Sequence, residues 1–334
     1  MPSQTPEWMD AMTAGSPWRD ASRLYVTESG RRIVFPLVRL GTTGTFAGVW
    51  SPRRGWGYGG VVADGGVSAD DIARVGCDFA RIPELRLHVR PNPLHTELWE
   101  RFAPQVPRRY KTSHVVDLRG GPGAVRDRFH RSAVQGVKKA EKRGVHVESV
   151  TGTALLPVFF NLARKSRRRW AERQHEPLWL AQARGRLRDS EAKWGRIARA
   201  LGSAFEVTVA WHEDRPVAAA LVALSPNPHG MRLAFDPELR QLCAPHLLNW
   251  HLLQRASDAG ARWFYLGESA TEGAAAFKDF LGARRCRYAE VDYERIPFSR
   301  LSSAARELGK RAIGFRGPDS VGASLPGQVR VEEE

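Results

Sequence analysis

The reading of this chain turns on residues 246–284, HLLNWHLLQRASDAGARWFYLGESATEGAAAFKDFLGAR. Apolar residues recur at helical spacing from Leu247 to Ala259, and Gly260 is the residue type that ends such a helix. Arg262–Leu266 follows, short and rich in aromatic and aliphatic side chains, as a buried strand would be. A glycine-containing loop then leads into a second helix, Ala274–Leu281, closed by Gly282, and a last strand is expected at Arg287–Tyr293.

Working back from this stretch, a run of strands is expected at Ala204–His212, Pro216–Leu224 and Met231–Phe235, with a turn at Glu213-Asp214 and a loop at Ser225–Gly230. Amphipathic helices precede it at Leu155–Glu172 and Leu178–Leu201, with a strand at Val145–Val150 before them. One helix is expected from about Pro122. Its apolar positions Val125, Phe129, Ala133, Val137 and Ala140 recur every three or four residues, Arg126, Arg128, Arg131, Lys138, Lys139, Lys142 and Arg143 occupy its other faces, and Gly144 stops it. Before that come a helix at Thr5–Ala14 and strands at Arg23–Glu28, Arg31–Leu40 and Thr45–Trp50, broken by turn signals. A glycine-rich stretch at 51–66, a helix opened by Ser68, and strands at Arg81–Arg90 and His114–Leu118 complete the first half. The order predicts an α+β fold of two domains, 1–143 and 144–296, each a mixed, largely antiparallel sheet flanked by helices, with a C-terminal helix and disordered tail at 297–334.

A length of 334 residues suits two domains, each able to bury its own core. No apolar run approaches the roughly 18 residues a spanning helix needs, and the N-terminus shows no signal peptide, so the protein is expected to be cytoplasmic and monomeric. Three cysteines, Cys77, Cys243 and Cys286, are too few and too widely spaced for a disulfide framework or a zinc motif. The 51 basic residues exceed the 36 acidic ones by 15, a surplus that attracts polyanions such as nucleic acid, phosphorylated substrates or lipid headgroups. Only eight of the basic residues are lysine, so part of the surplus reflects a general arginine preference.

Metal and nucleophile signatures are missing. His246 and His251 are five apart, which is not a metal-binding helical pair, and no HExxH, paired CxxC or GxSxG occurs. No metal, no cofactor and no covalent intermediate are expected. The glycine-rich stretch does not form GxGxxG; it reads either as a flexible hairpin or as a substrate-facing loop carrying Trp56 and Tyr58. The cationic helix reads either as a solvated face or as a phosphate-binding surface for tRNA or a nucleotide diphosphate, through Arg131, Lys138, Lys139, Lys142 and Arg143. Glu268 and Asp236, each just past a strand, are either cleft carboxylates, acting as general base or substrate ligand, or loop caps.

The run from Leu247 to Gly282 resembles the C-terminal signature of the FemABX-like branch of the GNAT superfamily, in which a helix ending in Ala–Gly leads through a strand and a glycine loop to a helix bearing Phe-Lys before Leu-Gly. Here those elements are Leu247-Leu248, Trp250, Ala256, Gly260, Phe264–Gly267, Phe277-Lys278 and Leu281-Gly282. VKKAEKRGVHV, residues 137–147, resembles the basic helix and strand leading into that family's second domain, and Trp8 and the Tyr-Gly-Gly at 58–60 match more loosely. The resemblance implies two GNAT-like domains facing across a cleft. This chain has no long charged heptad insertion after the second domain's early strands, so the coiled-coil arm that some cell-wall members carry is not expected. The resemblance also implies aminoacyl-tRNA as co-substrate and an amine acceptor, either a peptidoglycan precursor or an antibiotic or other small-molecule intermediate.

Such chemistry is aminolysis of an ester, which needs orientation, oxyanion stabilisation and proton handling. The resemblance assigns the oxyanion role to Lys278, a compact cation suited to it, and puts Phe277 beside the acceptor site or in the core. Two alternatives stand beside this reading: an acyl-CoA-dependent N-acyltransferase, and a non-catalytic basic RNA-binding protein on the same scaffold. Against the first, Arg240-Gln241-Leu242-Cys243-Ala244-Pro245 has cysteine where an acyl-CoA loop would carry its first glycine.

Overall fold

A computed structural model describes residues 1–41, 48–82, 84–101 and 108–295. The expected Thr45–Trp50 strand lies partly outside these, and the C-terminal helix and tail at 297–334 lie wholly outside them.

In the first half, α1 (Pro6–Thr13) leads to β1 (Trp18–Asp20), β2 (Arg23–Val26), β3 (Arg32–Phe35), β4 (Val38–Leu40), β5 (Gly48–Ser51) and β6 (Val62–Ala63). Then come α2 (Ala69–Cys77), β7 (Arg86–Val89), α3 (Thr96–Arg101), β8 (Arg108–Asp117), α4 (Gly121–Asp127) and α5 (Arg131–Lys142). The second half runs β9 (His146–Thr151), α6 (Leu156–Arg173), α7 (Leu178–Arg188), α8 (Glu191–Leu201), β10 (Phe205–His212), β11 (Arg215–Ala223) and β12 (His229–Phe235). It ends with α9 (Ala244–Asp258), β13 (Trp263–Glu268), α10 (Glu272–Phe280) and β14 (Arg284–Glu294).

Local chemistry sets many of these limits. Ser68 and Asp71 form a reciprocal capping box on α2, and Thr271 accepts from Ala274 N–H to start α10. Glu213 and Asp214 both adopt left-handed backbone, the geometry that matches the twist of a tight hairpin, and they join β10 to β11. The helix expected from Pro122 is two: the His130 ring accepts from Ser132 N–H, capping α5 and separating it from α4. Likewise Leu178–Leu201 divides into α7 and α8, because Ser190 caps the latter by accepting from Lys193 N–H. The Arg31–Leu40 strand also divides, between β3 and β4 around Pro36, whose missing N–H cannot join a ladder.

Eleven strands form one sheet in the order β1-β4-β5-β7-β14-β8-β13-β12-β11-β10-β9, and β2-β3-β6 form a second, small one. The last strand, β14, lies between β7 and β8 and welds the halves together. β11 is buried on both faces. Its alternate residues Ala218, Ala220 and Val222 join α4, α5 and α9 in one core, while Ala219, Leu221 and Ala223 join α1, α6 and α8 in another. A third core gathers Ile33, Phe35, Val49, Ile72, Leu87 and Trp99 in the first half.

The expected boundary at 143/144 therefore does not divide the cores. α1 and the α4–α5 pair, which precede it in sequence, bury their apolar faces against helices and strands that follow it. The fold class stands: mixed α/β layers, largely antiparallel, with two halves sharing one sheet. Among the described residues no helix is long and apolar enough to cross a membrane.

Candidate active site

The sheet opens at its middle. Parallel β12 and β13 are paired at a single register position, His229 with Tyr265, and cavities occupy the space where they part. One, of about 340 Å³, lies between α6, α7 and β12 and is lined by Phe160, Trp170, Arg188, Arg232, Leu233 and Ala270 among others. A second, about 370 Å³, continues past Trp170 and Leu233 to the start of α9 (Cys243, Pro245, His246) and to Thr271, Ala274 and Phe277. A third opens from there onto α5, where Lys138 and Lys139 form part of its wall. Shared residues make the three a continuous groove from the α6–α7 hairpin to the basic helix.

Lys278, in the last turn of α10, reaches back to the end of β13. Its Nζ donates to the carbonyls of Gly267 (3.0 Å) and Glu268 (2.7 Å). Burial pulls its amine down to about 8, against the opposing pull of Glu268 and Asp279. Phe277, the preceding residue, lines the groove and meets the His246 ring edge-on at 5.0 Å. His114, from β8, is fully buried nearby, and burial together with the Lys278 charge holds it neutral, its pKa down to about 4.

Behind Lys278 lies a cluster drawn from β8, β13, β14 and the residue just past β7. Glu268 Oε1 accepts from Arg90 (2.5 Å) and from the Tyr288 hydroxyl, and Lys111 Nζ stands 3.7 Å from Oε2. Arg90 also donates to the Tyr288 hydroxyl (2.9 Å) and covers the Tyr58 ring at 4.8 Å. Burial alone would raise the Glu268 carboxyl, but Arg90 and Lys111 outweigh it and hold it below the usual range. A carboxylate so engaged is a poor proton acceptor; Glu268 anchors the strand ends instead of serving as the expected base.

Other expected site residues also have structural duties. Trp56 is buried: its carbonyl accepts from Trp8 Nε1 at 2.9 Å, and the two rings meet edge-on. Tyr58 is buried too, its hydroxyl 2.7 Å from Ser113 Oγ, and burial pushes it up to about 12. The stretch is not a flexible hairpin because Gly59 packs against the Ser51–Pro52 backbone, where a Cβ would sit 2.5 Å from Ser51 C. Asp236 is fully buried, caps the turn at Pro237–Leu242, and pairs with Lys165 (2.6 Å) and Arg215 (2.8 Å). It has no reach to a substrate. Arg131, Lys138, Lys139, Lys142 and Arg143 are all exposed on α5, and Arg143 donates to the Gln241 carbonyl at 2.5 Å.

The sequence reading missed Arg90, Lys111, Tyr288 and His114, which only the topology brings together. It also missed a second cluster beside the first cavity. Asp189 pairs there with Arg232 (2.7 Å) and Lys193 (3.4 Å), and Lys193 Nζ donates to the Gly55 carbonyl (2.8 Å). Burial brings the Lys193 amine down to about 7, with Asp189 opposing. The signal was available at Asp189-Ser190, a helix break inside an otherwise periodic run. Among the described residues, no group of His, Cys, Asp and Glu converges as metal ligands.

Residues 127–279 match the acetyltransferase (GNAT) domain family. The crystal structure of FemX shares the fold at 12% identity, over 87% of this chain and 92% of that one, with a TM-score of 0.64. A conserved protein of unknown function from Bacteroides thetaiotaomicron, 10% identical, covers 85% of this chain and 88% of its own with a TM-score of 0.50. No curated protein matches the sequence. The GNAT domain match over residues 127–279 and the FemX-like fold agree with the resemblance carried by residues 137–147 and 246–284.

Proposed function

We propose that this protein is an acyltransferase that carries an aminoacyl group from its ester on the 3′ end of a tRNA to an amine, forming an amide. In this reaction the neutral amine attacks the ester carbonyl, the C–N bond forms, and a tetrahedral oxyanion collapses with loss of the ribose oxygen. One proton leaves the amine and one reaches the departing hydroxyl. The observation that carries the reading is Lys278: an ammonium seated on the Gly267 and Glu268 carbonyls where β12 and β13 part. Two of its N–H bonds are held by those carbonyls, so its direction is set before substrate arrives, and the third serves the oxyanion or the leaving oxygen. With its pKa down to about 8, it is charged at neutral pH yet a better proton donor than an ordinary lysine.

Support for tRNA over acyl-CoA comes from the start of α9. A pyrophosphate on a helix N-terminus relies on free backbone N–H groups. Here Pro245 has none, and the His246 N–H turns back onto the Cys243 carbonyl at 2.9 Å. Cys243 itself holds left-handed backbone, a φ of 57°, and its side chain occupies the groove. The exposed cations of α5 border the same groove and suit the phosphates of an RNA acceptor stem. On the other side, Arg167, Arg184, Arg188 and Arg232 line the first cavity, which suits an acceptor amine that also carries a carboxylate or phosphate.

The acyl-CoA reading draws on the match to an acetyltransferase domain, and the two are separated by the donor. Incubation with a pool of charged tRNAs and candidate amines, followed by mass analysis, is expected to give an amide whose formation stops on addition of RNase. Product from acyl-CoA in the absence of tRNA would overturn the proposal. A peptidoglycan precursor and a small-molecule intermediate are the acceptor classes to test first.

A further inference from the structure

α7, LWLAQARGRLR, has two unlike sides. Its inner side, with Ala181 and Gly185, closes the cavity beneath α6. Its outer side leaves large apolar groups in water: Leu178 is 40% exposed, Trp179 70% and Leu187 86%. Trp179, Ala183 and Leu187 fall at i, i+4 and i+8, one continuous stripe along the helix. Arg186 flanks it and shares a cavity wall with exposed Arg164 of α6, while Arg184 and Arg188 turn towards the inner cavity and pair with Glu176 (2.7 Å) and Asp189 (3.6 Å).

Single exposed apolar residues are ordinary; an aligned aromatic and aliphatic row edged by cations is not. The chemistry of the stripe decides what covers it. Arginines would suit either RNA or anionic headgroups, but an RNA surface would leave Leu187 facing phosphates and water. A bilayer interface takes both features at once: acyl chains accept Leu187, Trp179 prefers the headgroup boundary, and anionic lipids neutralise Arg186 and Arg164.

We propose that α7 is an interfacial helix that docks this protein on an anionic membrane surface. Because Arg184 and Arg188 also line the first cavity, docking would hold that cavity at the level of the headgroups. This orientation, unlike the docking itself, rests on the reading of that cavity as the acceptor site.

The test is flotation with vesicles of phosphatidylcholine alone and with about 30 mol% phosphatidylglycerol, at low and raised salt. The wild-type chain is expected to float with the anionic vesicles, less so at raised salt, and not with the neutral ones. Trp179→Ser/Leu187→Ser should weaken that partition about 10-fold or more, with an unchanged unfolding midpoint. Arg186→Gln should weaken it less and only on anionic vesicles. The proposal is overturned if the wild type does not bind vesicles, or if the double variant binds them as well as the wild type does. It is equally overturned if the double substitution abolishes tRNA binding while vesicle binding persists. Amide formation on a water-soluble amine, assayed separately, shows whether the transferase reading stands or falls on its own.

Discussion

Replacing Glu268 by Gln keeps the shape of the side chain and one acceptor while deleting the charge that faces Arg90, Lys111 and the Tyr288 hydroxyl. Arg90 is only 16% exposed and Glu268 28%, so the pair is mostly withdrawn from water. Breaking a buried pair from one side costs roughly 3–5 kcal/mol, because the partner charge is left uncompensated. Two features reduce this: Glu290 stands 3.6 Å from Arg90 and takes over part of its charge, and Glu268 retains some solvent. An expected loss of about 2–3 kcal/mol follows. With a urea slope of about 3 kcal/mol per molar for a chain of this size, the midpoint falls by about 0.7–1 M at pH 7. The pH dependence provides a second check. The folded carboxyl is held below its ordinary value of 4.5, so its stabilisation is present above that value and is lost as pH falls through the folded pKa. The gap between wild type and variant should therefore close in acid. A midpoint within about 0.2 M of wild type at pH 7, or a gap that persists unchanged in acid, refutes the role given to the cluster.

Three further outcomes are expected. Amide formation at saturating substrates should fall on the alkaline side with an apparent pKa of about 8, the value to which burial brings Lys278, and Lys278→Arg should remove that fall while slowing the reaction; single-turnover rates across the pH range, corrected for ester hydrolysis, decide it. Gly59→Ala should leave little folded protein by circular dichroism, since its Cβ would lie 2.5–2.6 Å from Ser51 and Pro52 backbone atoms that cannot move aside like a side chain. Tyr58→Phe should lower stability by about 1–2 kcal/mol, through loss of the bond to Ser113, while leaving the amide-forming rate near wild type; a large loss of rate without loss of stability would return Tyr58 to the substrate.

Local features of the fold were legible because their causes are local. Ser68, Gly144, Gly260 and Gly282 end or begin helices as their chemistry dictates. The breaks at His130 and Ser190 were readable in principle, since each is a side-chain cap within an apolar periodicity that runs on regardless. Long-range features were not. Arg90 and Glu268 are 178 positions apart, and nothing in either neighbourhood announces the other. The domain boundary failed for the same reason: α5 and β9 adjoin in sequence, but the partner that buries Val137 and Ala140 is α9. Trp56 and Tyr58 misled because six glycines in 51–66 suggest mobility, whereas here a missing side chain at Gly59 allows two backbone segments to close on each other. Lys278 was singled out by the motif, but its two carbonyl partners and its lowered pKa come from the geometry of β13.

In the proposed reaction the Lys278 ammonium stabilises the charge that develops as the ester is exchanged for an amide. Lys278→Gln retains a donor for the Gly267 and Glu268 carbonyls without the charge, so its single-turnover rate with charged tRNA and an amine isolates that contribution. The predicted result is a rate about 100- to 1000-fold below wild type with tRNA binding intact. A rate close to wild type would remove Lys278 from the chemistry.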